Sequence, residues 1–111
     1  MEFQQRGLLV FIAANGRKPF SDWLKTLTLN DRAMIRNRLD RVEKGNFGDM
    51  KSLGEGIYEL RFHKSGGHRV YFGLDGKKIV LLLMGGDKST QSKDITLAKR
   101  YWNEYKKDKP A

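Results

Sequence analysis

Hydrophobic and polar positions recur in two different rhythms along this chain, a helical one from Pro19 to Gly45 and a stranded one from Ile57 to Met84. Gly7 to Ala14 is a short apolar run closed by Asn15-Gly16, a turn signal, and it predicts a buried strand. Pro19 then stands where a helix can begin, and Phe20, Trp23, Leu24 and Leu27 recur behind it at helical spacing. Thr28, three residues before Asp31, predicts the cap of a second helix. Ile35, Leu39 and Val42 form its apolar stripe, Gly45 is its stop, and Arg32, Arg36, Arg38 and Arg41 take the remaining faces.

The second half has a period of two. Ile57 to His63 alternates, Arg69 to Leu74 alternates, and Asp75-Gly76 marks a tight hairpin before Ile79–Met84. That last run is apolar at every position, as a central strand covered on both faces requires. Gly85-Gly86 ends it, and a final helix is predicted over Ser92–Lys107, with Ile95, Ala98, Trp102 and Tyr105 along one side. The expected fold is one α+β domain over residues 1–111. A small antiparallel-rich sheet packs against two N-terminal helices and a C-terminal helix.

Composition supports a packed core, with 39% apolar residues, and excludes several classes. No stretch approaches the roughly 18 apolar residues of a membrane-spanning helix, and Met-Glu-Phe-Gln-Gln-Arg does not read as a signal peptide. The absence of cysteine rules out disulfides and thiolate metal sites, and the cytoplasm is the expected setting. Charge changes the picture most. With 22 basic and 13 acidic side chains the chain carries +9, an excess that attracts polyanions.

Side chains two apart share a strand face, so Glu59, Arg61 and His63 lie together, as do Arg69 and Tyr71. Pairing across the Lys64–Gly67 turn sets Arg61 beside Arg69, and two such charges call for an anion between them. That anion is either a phosphate-bearing ligand or, in an ordinary surface arrangement, Glu59 and Asp87. Lys88 lies in Gly-Gly-Asp-Lys-Ser, where glycines admit a phosphate near a helix N-terminus; a plain turn of small residues is the other reading. The spacing of a nucleoside-triphosphate loop is absent. His63 and His68 are candidates for proton transfer in phosphodiester cleavage. Neither shows metal-ligand spacing, and no metal or other cofactor is expected. Tyr71, on the arginine face, is a candidate to stack on a base. Phe20, Trp23 and Trp102 are expected in the core.

In combination, Tyr58-Glu-Leu-Arg-Phe-His63, Gly67-His-Arg-Val-Tyr-Phe-Gly73 and Leu82-Leu-Met-Gly-Gly-Asp-Lys-Ser89 resemble the RelE/ParE superfamily of type II toxin–antitoxin toxins. The nearest likeness is to its HigB-like, phage-related addiction-module killer branch, and it runs from Gly16-Arg-Lys-Pro-Phe20 to Ala98-Lys-Arg-Tyr-Trp102. The resemblance implies the compact RelE-like fold and metal-independent, ribosome-dependent cleavage of messenger RNA, with the 2′-OH attacking its own phosphate. It implies that Arg61 and Arg69 grip the phosphate, that Lys88 neutralises transition-state charge, and that His63 moves the proton. His68, Tyr71, Lys64 and Lys93 complete the expected substrate-binding set. His68 stands where the branch usually has tyrosine. Ser92-Lys-Asp94 replaces the terminal-helix tyrosine that the best-known ribonuclease members use as base. The implied partners are messenger RNA, the ribosome and an adjacently encoded antitoxin with a helix-turn-helix, and no membrane. Inhibition of DNA gyrase in the manner of ParE, or non-catalytic action through an antitoxin–DNA complex, are the alternatives on the same fold.

Overall fold

In the computed structural model, which describes residues 6–64 and 66–109, each predicted helix forms where its local signals place it. Pro19 is the first residue of α1 (Pro19–Lys25), a position where its missing N–H loses no hydrogen bond. Thr28 Oγ1 accepts from the Asp31 N–H at 3.1 Å and caps α2 (Leu29–Glu43). Gly45 ends α2 at φ 92°, with its N–H bonded to the Val42 carbonyl. The reading of residues 1–5 as free of a leader lies outside the described residues, as do Ser65 and residues 110–111.

The strands are β1 (Gly7–Val10), β2 (Met50–Gly54), β3 (Ile57–Arg61), β4 (Arg69–Asp75) and β5 (Ile79–Gly86), with α3 (Gln91–Asp108) following a short 3₁₀ turn, Lys88–Thr90. They form one sheet in the order β1-β5-β4-β3-β2. β1 runs parallel to β5, and the other neighbours are antiparallel. This is the α+β architecture the sequence predicts, with one strand more. Met50–Gly54 escaped notice because an edge strand that is mostly exposed carries no alternation. β1 also differs from expectation. It is four residues long and lies at the other edge, half-exposed, with Leu9 open to solvent.

Both faces of the sheet are covered. On one, Phe20 of α1 and Ile35, Leu39 and Val42 of α2 pack on Leu60, Phe62, Val70, Phe72, Val80 and Leu82. On the other, Ala98 and Trp102 of α3 cover Ile57, Tyr71, Leu81 and Leu83. A fully buried side chain such as Phe72 or Leu83 contributes about 1.5–3 kcal/mol. Burial from both sides explains the unbroken apolar run of β5. Its end is glycine because two helices press on it. A Cβ on Gly85 would sit 2.2 Å from the Trp23 ring of α1, and one on Gly86 would strike the Asp94 carboxylate of α3. Among the described residues no helix is long and apolar enough to cross a membrane.

Candidate functional site

Two open hollows meet at the end of β3, separated by a ridge of Arg61, Phe62 and His63 that lines both. One lies toward α3, bordered by Gly66, Gly67, Arg69, Lys88 and Gln91. The other, about 520 Å³, lies toward α2 and is lined by Asn30, Met34, Arg38, Arg41, Asp49 and Lys64 among others. The predicted register is present: Arg61 and Arg69 are direct partners across β3 and β4.

The two arginines have opposite surroundings. Arg69 is 5% exposed, its Nε lies 2.8 Å from Glu59 Oε1, and its Nη1 donates to the carbonyls of Phe62, Gly67 and His68. It ties the β3–β4 turn to the sheet and neutralises the buried Glu59 carboxylate. Arg69 thus has a supporting role in the turn and also borders the hollow in which the phosphate-gripping role was expected of it. Glu59 itself is fully buried beneath α3 and also accepts from Gln91 Nε2 at 2.8 Å. Arg61 stays partly exposed, 4.0 Å from Glu59, and its Nε has no hydrogen-bond partner among the described residues. With Lys88, exposed across the α3-side hollow, it supplies cationic charge available to a ligand. Asp87, considered as a partner for the arginines, instead accepts from Ser89 and caps the 3₁₀ turn, and those bonds hold its carboxyl below the usual range.

His63 lies just past the end of β3 rather than within it, and its side chain is exposed. Its Nε2 lies 2.5 Å from Asp49 Oδ2, an interaction that holds the Asp49 carboxyl below its ordinary range, with Arg61 and Arg38 adding to the effect. Arg38 fixes this partner in place. Its Nε donates to the Phe47 carbonyl, Nη1 to that of Arg61 and Nη2 to that of Asp49, at 2.8, 3.1 and 2.7 Å. Gly48 permits the approach, since a Cβ there would lie 2.9 Å from the Arg38 guanidinium.

Residues 22–103 match the family described as Phage derived protein Gp49-like (DUF891). The chain belongs to that family, a toxin–antitoxin toxin family of the RelE/HigB type. An uncharacterized protein of Haemophilus influenzae is 49% identical over 81 residues, which span 72% of this chain and 82% of that relative.

Three expected substrate contacts of this Gp49-like chain are displaced. His68 is 8% exposed; its Nε2 pairs with Asp31 Oδ2 of α2 at 3.0 Å and its ring meets Trp23 edge-on. It pins the start of β4 to α2. Tyr71 is fully buried under α3, so it stacks on no base, and burial together with the Glu59 carboxylate pushes its hydroxyl above the ordinary tyrosine range. Lys93 borders a separate surface hollow on α3 with Thr96, Leu97 and Arg100. Lys64 does lie beside His63. Sequence reasoning passed over Arg38, Asp49 and Gln91 and gave Glu59 only the part of a surface partner. Arg38 carried a faint signal, standing three residues after Ile35 and four before Val42, at the flank of the apolar stripe. Among the described residues no three His, Asp or Glu side chains cluster as metal ligands.

Proposed function

We propose that this Gp49-like toxin cleaves messenger RNA, on the ribosome, by attack of a ribose 2′-OH on its adjacent phosphate. The observation that carries the reading is one hollow bordered by the partly exposed Arg61 guanidinium, Lys88 and a histidine already oriented by a carboxylate. With Nε2–H donating to Asp49, the Nδ1 of His63 is left to accept the 2′-OH proton. The 2′-oxygen–phosphorus bond forms as the bond to the 5′-oxygen breaks, and that oxygen takes its proton from water. Arg61 and Lys88 face the charge that grows on the phosphoryl oxygens, where fixed cations act most strongly. Arg69 and Glu59 keep the turn beneath them rigid. The products are a 2′,3′-cyclic phosphate and a free 5′-OH.

An antitoxin encoded alongside, carrying a helix-turn-helix, is the partner that fits a toxin of this kind. The test is mapping of 5′ ends after incubation with translating ribosomes. New 5′-OH ends in messenger RNA, lost in Arg61→Ala and Lys88→Ala, support the reading. Intact RNA together with gyrase-linked DNA breaks would replace it with gyrase inhibition, and normal growth on overexpression would point to a non-catalytic role.

A further inference from the structure

The two outer strands of the sheet are finished differently. β2 is blunted as open edges usually are: Lys51 lies within it, and its register slips between Ser52 and Gly54. β1 carries no such device. Gly7 to Ala14 holds neither a charged residue nor a proline, and β1 pairs with β5 without a slip. The N–H groups of Gly7 and Phe11 donate to the Lys78 and Leu82 carbonyls of the β5 side. Those of Leu8 and Val10, out of phase by one residue, therefore point to the open side, where they meet no acceptor among the described residues. Apolar side chains lie beside them. α3 packs on β3, β4 and β5 and leaves Leu9 48% exposed, and Ile12, just past the strand, is 57% exposed. A free row of backbone donors and acceptors flanked by apolar side chains is the form of a strand-addition site.

Charge says which strand fits. Lys77 and Lys78 stand at the start of β1, where Gly7 bonds to the Lys78 carbonyl. Arg17 and Lys18 stand past its end, where the Ala13 N–H donates to the Arg17 carbonyl. All four are exposed. Of the acids near that end, Glu104 is taken up by the Ala14 N–H, and Asp22 shares a hollow with Arg17. A second copy would set +9 against +9 across the seam, whereas a strand with acidic ends meets cations at both.

We infer that the open edge of β1 takes an extended segment of a partner protein, apolar at alternate positions and acidic at both ends, as an added strand of the sheet. β5 and β4 separate this edge from β3 and its hollows, so the inference holds whatever chemistry those hollows perform.

The probe is a short synthetic peptide of alternating valine and threonine between pairs of glutamates, added to the full chain. Its binding should slow amide hydrogen exchange at Leu8 and Val10, whose N–H groups then gain acceptors. The same peptide with lysines for glutamates should bind at least about fivefold more weakly at low salt, a gap that narrows as salt is added. Val10→Pro removes an outward N–H that the β5 ladder does not use, and it should weaken binding at least about fivefold. Leu9→Glu, at a half-exposed position, sets a like charge against the peptide ends and decides the matter should Val10→Pro melt early. No binding at millimolar peptide, equal binding of the lysine form, or binding that leaves exchange at Leu8 and Val10 unchanged overturns the inference. Full affinity in a folded Val10→Pro or Leu9→Glu overturns it as well. A dimer of the wild-type protein that dissociates in Val10→Pro also overturns it, and gives the edge to a second copy.

Discussion

Arg61 and Arg69 stand side by side across two strands, and their substitutions should fail in different ways. Removing the cation at Arg69 leaves the Glu59 carboxylate buried without its partner, a change that costs about 3–5 kcal/mol in comparable buried pairs. Arg69→Ala should therefore melt far earlier than wild type in a thermal scan. Arg69 also borders the α3-side hollow, so toxicity of that variant is read beside its melting temperature. Arg61→Ala should melt near the wild-type temperature and lose roughly 10²–10³-fold in RNA cleavage, as when one transition-state donor is removed. Comparable melting losses in both variants would contradict this division. The difference was not legible beforehand. Alternation shows which side chains share a face, but it does not show that a helix formed thirty residues later will cover part of that face.

At the scale of elements, α3 is held at its far end by Tyr105 donating to Asp75 Oδ2 at 2.7 Å and by Lys109 on Asp75 Oδ1. Lys109 first, then Tyr105, holds the Asp75 carboxyl below its ordinary range, and the same bond to Asp75 raises the Tyr105 hydroxyl. A lowered carboxyl adds stability above its unfolded pKa of about 3.9 and loses it as pH falls through the folded value. A raised phenol adds stability below its unfolded pKa of about 10 and loses it as pH rises through the folded value. Melting temperature should thus fall off on both sides of that plateau, and Tyr105→Phe should show a shallower alkaline decline. Tyr71 will leave a residual one. Identical profiles for the two proteins would mean that the Tyr105–Asp75 bond does not form in solution.

The end of β5 makes a second test of element packing. Gly85→Ala places a methyl group against Trp23, so α1 must shift, at about 1–3 kcal/mol for overpacking of this sort. Urea denaturation would measure it, and a neutral result would show that α1 is loosely docked. Helix boundaries were readable because Pro19, Thr28 and Gly45 act locally. β2 was not, being exposed and irregular where it meets β3 between Ser52 and Gly54. Arg38 and Asp49 were missed for a related reason. Their partners are carbonyls and a histidine remote in sequence, which no local pattern records.

For the molecule as a whole, the +9 charge should make RNA binding strongly dependent on salt. Single-stranded nucleic acid gives a log–log slope of about −0.7 per phosphate contact, so Arg61, Lys64 and Lys88 together suggest a slope of about −2. Lys88→Ala should make it shallower by about 0.7. An unchanged slope would place Lys88 off the RNA path.

The order of the strands also has a consequence for how this protein is born. β1 pairs with β5, Gly7 with Ile79, so the first strand made has no partner until nearly the whole sheet has been synthesised. α3 comes later still, and until it docks Glu59, Arg69 and Tyr71 lie open to water. A nascent chain halted before Gln91 should then be protease-sensitive and inert, whereas one halted beyond Asp108 in its tether should be resistant; equal resistance would show that the sheet closes without its last helix. On the proposed reading, a ribosome that makes such a toxin is protected, for as long as translation lasts, by the chain's own unfinished state.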